Sequence, residues 1–195
     1  MDSKAIPQHL TLLDKSFELT VPQSEIIFQI DSLADRINAD YSNGTKDIPL
    51  IIGILNGAFM FLSELVQRLS FACEVSFIRV ASYCGTKSTN NVTEILGLKE
   101  DIRGRHVILV EDIIETGGSI TTVTDMLAKQ SPASLEVATL MMKPNIYKGH
   151  IPIKYCAFEI ADDFIVGFGM DYRGLGRNYP AIYTIKENED DYGQR

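Results

Sequence analysis

The chain has 195 residues, 45% of them apolar, which suits a single domain with a full core. A formal net charge of −8 argues against binding nucleic acid or anionic membrane surfaces, and no apolar run approaches the roughly 18 residues of a spanning helix. Cys73, Cys84 and Cys156 are an odd number without a Cys-x-x-Cys pair, so neither a disulfide framework nor a zinc site is indicated. The start of the chain, Met1 to His9, lacks a basic segment followed by an apolar one, and a cytosolic protein is expected.

Along the chain, a short strand is expected near Phe17 to Thr20. From Ser24 the apolar positions Ile26, Ile27, Ile30, Leu33, Ala34 and Ile37 recur at helical spacing, with Ser24 as cap and Asn43-Gly44 as the end. Pro49 to Leu55 reads as a buried strand, and Asn56-Gly57 as a turn into an apolar helix, Ala58 to Leu69. Cys73 to Tyr83 alternates like a strand with one partly wet face. The next stretch, 84–93, has no apolar periodicity and many turn formers, so it is expected to be a mobile loop. Glu94 to Leu98 gives a short strand back.

Val107-Ile-Leu-Val-Glu-Asp-Ile-Ile-Glu-Thr-Gly-Gly-Ser-Ile-Thr121 then combines a buried parallel strand, three acids and a small-residue loop that opens a helix. Thr116, Ser119 and Thr121 offer hydroxyls for donation and capping. Gly117 and Gly118 let the backbone turn tightly and aim several N–H groups at one point, which is an anion site suited to phosphate. Glu111 and Asp112 fall at the carboxyl end of the strand, where open α/β sheets bind ligands; beside a phosphate cradle they suit ribose hydroxyls or Mg²⁺. Neither the Gly-x-x-x-x-Gly-Lys-Ser/Thr loop nor the Gly-x-Gly-x-x-Gly fingerprint fits this stretch. The helix buries Ile120, Val123, Met126 and Leu127, and Pro132 is expected to end it. Leu135 to Met142 is another buried strand, followed by Lys143, which by itself reads as a solvated loop charge. Tyr155 to Ile160 and Phe164 to Phe168 are further strands; on spacing alone Phe164 reads as core. The tail from Lys186 to Arg195 is acidic and expected to fray.

The Val107–Thr121 stretch resembles, at all its positions, the signature of the type I phosphoribosyltransferases. A second run, Asp162-Asp-Phe-Ile-Val-Gly-Phe-Gly-Met-Asp-Tyr172 with Arg177, is similar to the mark of their hypoxanthine-guanine branch. The resemblance covers nearly the whole chain. It implies an α/β fold with a central, mainly parallel sheet flanked by helices. A single domain would have its core at about 24–142, a small hood from about 1–22 and 143–195, and a flexible lid at 84–93.

The implied reaction belongs to purine salvage: Mg²⁺-dependent transfer of the 5-phosphoribosyl group from phosphoribosyl pyrophosphate to N9 of hypoxanthine, and of guanine, giving IMP or GMP and pyrophosphate. By the same resemblance Glu111 and Asp112 hold ribose hydroxyls and the metal, and Thr116, Gly117, Gly118 and Ser119 hold the 5-phosphate. Leu55, Asn56 and Gly57 bind pyrophosphate through backbone N–H groups, with a cis peptide at Leu55-Asn56, joined by Ser82, Tyr83 and Arg177. Asn56 stands where many relatives have Lys or Arg. Lys143 donates to the purine 6-oxo group, Phe164 stacks on the ring and the Val166 backbone reads its edge. Asp171 lies by the purine and reaches the metal. Glu115 is the candidate general base near N7, a methylene longer than the family's usual Asp. Relatives commonly form dimers or tetramers. A regulator that keeps this fold but binds nucleic acid is the competing reading, and the negative charge argues against it.

Overall fold

The computed structural model describes residues 6–42, 47–82 and 92–186. In chain order the elements are β1 (His9–Leu12), β2 (Lys15–Val21), α1 (Gln23–Tyr41), β3 (Leu50–Leu55), α2 (Phe59–Val66), β4 (Glu74–Ser82) and β5 (Val92–Leu96). They continue with β6 (His106–Ile114), α3 (Gly118–Ala128), β7 (Ser134–Met142), β8 (Tyr155–Glu159), β9 (Ile165–Val166) and β10 (Ile182–Ile185).

Side-chain alternation sets the layers. Leu50, Ile52 and Ile54 of β3 and Val107 and Leu109 of β6 share one face with Ile120, Val123 and Leu127 of α3. Ile51, Ile108 and Val110 point the other way, into a cluster with the stripe Ile26, Ile30, Leu33, Ala34 and Ile37 of α1 and with Phe61, Leu62 and Leu65 of α2. Strands apolar on both faces need helices on both faces, which is the doubly covered parallel sheet. Its order is β5-β4-β3-β6-β7-β8, parallel throughout except for the antiparallel edge strand β5. The central parallel sheet flanked by helices is therefore present as expected.

A second, antiparallel sheet of order β1-β2-β10-β9 forms the hood, around Leu10, Leu12, Phe17, Val166, Ala181 and Tyr183. Strands β1 and β10 of this sheet have no counterpart among the elements expected from the sequence. Because β8 pairs with β7, the core sheet reaches Glu159, not about 142, and the hood's C-terminal part starts after it.

Other differences have local causes. Ser24 does not cap α1; Pro22, in extended conformation, is the N-cap, and its carbonyl accepts from the Glu25 and Ile26 N–H groups. Helix α3 stops at Ala128, well before Pro132, because the chain tightens through the Gln130 and Ser131 N–H bonds and Ser131 turns left-handed at φ 58°. The strand expected over Phe164 to Phe168 shrinks to two residues, since Gly167, Phe168 and Gly169 all take positive φ. Cys73 and Cys156 are free thiols, as expected.

Candidate active site

The site begins where two strands part. β3 pairs with β6 only as far as Gly53 opposite Val110, whereas β6 continues beside β7 to Ile114 opposite Met142. Glu111 and Asp112 thus lie near the carboxyl end of β6, on a stretch whose other edge has lost its partner. The turn after β3 fills this gap. The Leu55-Asn56 peptide is cis, as the resemblance implied, and a Cβ on Gly57 would collide with the Asp112 carboxylate, so glycine alone permits the approach. On the other side a Cβ on Gly169 would strike the Gly57 carbonyl oxygen. The hood therefore rests directly on the turn.

Asp112 is buried and Glu111 half-buried beside it. Burial, reinforced by the neighbouring carboxyl of Asp112, pushes Glu111 well above the usual carboxylate range. Burial also raises Asp112, against the lowering effects of a hydrogen bond with Glu111 and of the nearby Arg177 charge. Two acids that resist ionisation alone suit a partner that supplies hydroxyl donors or positive charge.

The loop after β6 supplies the opposite polarity. Gly117, left-handed at φ 86°, is the N-cap of α3 and offers no side-chain cap, and among the described residues no side-chain bond to the helix's first N–H groups is found. The capping expected from Thr116 and Ser119 is absent: Thr116, Gly118 and Ser119 are exposed around a cleft of about 200 Å³ lined by residues 111–120. The buried Thr121 hydroxyl has no partner among the described residues. Free helix N-terminal donors fit an anion there.

A second cleft, about 160 Å³, is bounded by Asp112, Glu115, Phe164, Met170 and Asp171. Lys143, at the carboxyl end of β7, is 3% exposed and not a solvated loop charge; its ammonium pairs with the Glu115 carboxylate. Phe164 is 43% exposed, with its ring near those of Phe17 and Tyr172. Val166 is fully buried in β9, an edge strand of the hood sheet. Asp171 is ion-paired with Arg177 and accepts the Gly174 N–H at 2.6 Å, while Arg177 Nη1 donates to the Gly169 carbonyl at 2.6 Å. The carboxylate expected to face a metal is thus engaged by a guanidinium in this form.

Ser82 ends β4 at the same end of the sheet, whereas Tyr83 and most of the expected lid lie outside the described residues. Among the described residues no group of three His, Cys, Asp or Glu side chains could enclose a metal ion. The sequence reading missed one neighbour: Tyr147, whose ring lies behind Gly117. Its only local signal is the flanking Gly149.

Comparison with known proteins matches residues 21–173 to the phosphoribosyl transferase domain family. The hypoxanthine phosphoribosyltransferase of Escherichia coli strain K12 is 36% identical over 169 residues, covering 86% of this chain and 94% of the relative. The hypoxanthine-guanine phosphoribosyltransferase of Staphylococcus epidermidis is 40% identical over 159 residues, covering 80% and 89%. A crystal structure of the hypoxanthine phosphoribosyltransferase from Staphylococcus aureus aligns with a TM-score of 0.75 at 37% identity, over 87% of this chain and 91% of that one. Joined to the β6 acids, the loop that opens α3 and the cis peptide that faces them, these likenesses settle the matter of kinship: the chain belongs to the phosphoribosyltransferase family.

Proposed function

We propose that this protein is a hypoxanthine phosphoribosyltransferase of purine salvage, moving the 5-phosphoribosyl group of phosphoribosyl pyrophosphate to N9 of hypoxanthine, and of guanine, with release of pyrophosphate. The observation that carries the reading is the buried Lys143, paired with Glu115, which itself lines a cleft together with Asp112 and Phe164.

In this reading the N-terminal turn of α3 receives the 5-phosphate through Gly117, Gly118, Ser119 and the Thr116 hydroxyl. Glu111 and Asp112 take the ribose hydroxyls. The Leu55-Asn56-Gly57 backbone, with Ser82, Tyr83 and Arg177, takes the pyrophosphate; a guanidinium suits its oxygens. The purine stacks on Phe164, which is worth roughly 1–3 kcal/mol for a base on an aromatic face. The Val166 backbone reads the ring edge.

Lys143 and Glu115 exchange partners on binding. The ammonium moves from the carboxylate to the purine 6-oxo oxygen, and the released carboxylate accepts the proton at N7 as the N9–C1′ bond forms and the C1′–O bond to pyrophosphate breaks. The residues suit Mg²⁺: two carboxylates that burial makes reluctant to ionise, and too few ligands among the described residues for a closed cage, match an ion usually bound by one or two carboxylates plus substrate oxygens. Bound with substrate, Mg²⁺ would neutralise charge developing on the pyrophosphate. Asp171 could join it once Arg177 turns to the pyrophosphate.

A homodimer or homotetramer is part of this proposal, supported by the exposed apolar side chains Phe59 on α2 and Val75 and Phe77 on β4. So is a cytoplasmic location, with no helix among the described residues long and apolar enough to cross a membrane. No nucleic acid or membrane partner is proposed. The test is steady-state turnover with phosphoribosyl pyrophosphate and Mg²⁺, offering hypoxanthine, guanine, xanthine and adenine separately. Turnover of hypoxanthine is expected; binding of phosphoribosyl pyrophosphate with turnover of no base would overturn the reading in favour of a regulator.

A further inference from the structure

The loop after β7 leaves the purine side of the site at Lys143 and returns to the phosphate side. Its first residue is fixed to β6, the Lys143 N–H donating to the Ile114 carbonyl at 3.0 Å. The Ile146 and Tyr147 N–H groups both donate to the Lys143 carbonyl, closing one tight turn. Lys148 N–H then donates to the Thr116 carbonyl at 3.1 Å, tying the loop to the phosphate-binding turn.

Tyr147 is the body of this strap. Its ring lies so close behind Gly117 that a Cβ there would overlap it, and a Cβ on Gly149 would stand 2.6 Å from its hydroxyl oxygen. The ring is thus enclosed between two glycines. The hydroxyl donates to the Ile151 carbonyl at 2.6 Å, and burial raises its pKa from the ordinary tyrosine value. Tyr147, Ile151 and Ile153 also pack on the core cluster that contains Ile120 and Val123 of α3.

Gly117 is the left-handed residue from which α3 starts, with no side-chain cap to fix it. A flexible glycine at an uncapped helix start needs support from behind to hold its N–H groups in one place. We propose that Tyr147 is a positioning residue of the phosphate subsite: its ring backs Gly117 and sets the first turn of α3, without itself touching substrate. The inference rests on the assignment of that turn to the 5-phosphate. It adds a dependence of phosphoribosyl binding on the same loop that presents Lys143 to the purine.

The test uses the full chain with Tyr147→Phe, Tyr147→Leu and Tyr147→Ala. Displacing a positioned group by about 1 Å can cost on the order of a hundredfold in rate, so a rise of about tenfold in KM for phosphoribosyl pyrophosphate is expected for Tyr147→Ala. KM for hypoxanthine should stay within about twofold, since Lys143 keeps its own bond to Ile114. Tyr147→Phe keeps the ring and should restore most of the affinity, whereas Tyr147→Leu, which fills the space without a flat face, should not. Calorimetric binding of ribose 5-phosphate reads the same subsite without turnover and should weaken in the same order. An unchanged affinity for ribose 5-phosphate in folded Tyr147→Leu overturns the proposal, as does an equal rise in both KM values that merely follows a fall in Tm. If the wild type turned over no purine yet bound ribose 5-phosphate, the assignment of the reaction would fall while the binding series would still decide the role of Tyr147.

Discussion

Replacing Glu115 by Gln removes the counter-charge of Lys143 and keeps the side chain's length. The two ends of this pair differ in burial: the Lys143 side chain is 4% exposed and that of Glu115 51%. Breaking a fully buried pair costs about 3–5 kcal/mol, mostly from the charge left behind, while exposed pairs contribute about 0.2–1 kcal/mol. A pair buried at one end lies between, and we expect Glu115→Gln to lose about 1–2 kcal/mol. In a chain of 195 residues that lowers Tm by roughly 2–8 °C. Lys143→Met leaves behind only a half-exposed carboxylate, so it should cost less, and the double variant should recover most of the loss of Glu115→Gln. Urea unfolding of the four proteins gives the coupling energy directly. In catalysis, Glu115→Gln should lower kcat by about 10²–10⁴-fold, the usual worth of a placed general base, without weakening hypoxanthine binding, because the competitor for Lys143 has lost its charge. A coupling energy below about 0.5 kcal/mol, or a Lys143→Met cost exceeding that of Glu115→Gln, would refute the argument.

Gly57→Ala should abolish turnover, because its Cβ cannot coexist with the Asp112 carboxylate; retained activity in a purified variant would show that the turn can retreat from Asp112. Asp112→Asn should remove binding of Mg²⁺ and phosphoribosyl pyrophosphate yet stabilise the unliganded fold by about 0.5–2 kcal/mol at neutral pH, read by thermal unfolding. The sign follows from the upward shift of the Asp112 carboxyl: ionising it in the fold opposes folding at neutral pH, so the variant's advantage should fade as pH falls toward the ordinary Asp value of 3.8. Tyr155→Phe removes the hydroxyl that donates to Asp40 at 2.7 Å and should cost about 1 kcal/mol in urea unfolding, with kcat unchanged, since that bond lies at the opposite end of the sheet from the site. Burial pushes the Cys156 thiol up from 9.0 to about 11, so at pH 8 its alkylation, followed by peptide mass mapping, should run about a hundredfold slower than that of an unperturbed thiol.

What could be read beforehand follows from what each residue's signal depends on. Apolar runs such as Leu50–Leu55 and the α1 stripe declare themselves locally, because burial on two faces or on one stripe writes its own period. The glycine at position 57 and the acids at 111 and 112 were legible as types, but not their contact, which depends on β3 ending beside a β6 that continues. Strands β1 and β10 were missed for a related reason. Each has four residues, and what makes them strands is pairing with β2, across more than 160 positions of sequence in the case of β10. Lys143 was legible only through resemblance; its spacing suggested a wet loop, and burial became affordable to the chain only because Glu115, 28 positions away, arrives at the same rim.

The same logic explains why the site sits where it does. The sheet's carboxyl end offers N–H groups at the start of α3 and a free strand edge at Glu111, two features of opposite polarity within a few residues. Such a place suits a ligand with a phosphate at one end and hydroxyls at the other, but by itself it would leave the ligand open to water. The hood closes one side by seating Gly169 on Gly57 and bringing Arg177 and Phe164 over the cleft. This contact needs a residue without a Cβ at position 169, so the joint between hood and core is held by close backbone approach and has little room to slide. A Gly169→Ala variant separates this joint from the chemistry, since Gly169 carries no functional side chain. It should weaken phosphoribosyl pyrophosphate and purine binding together, because it lifts Arg177 and Phe164 as one unit, whereas loss of only one of the two affinities in paired titrations would show that the hood does not move as a body.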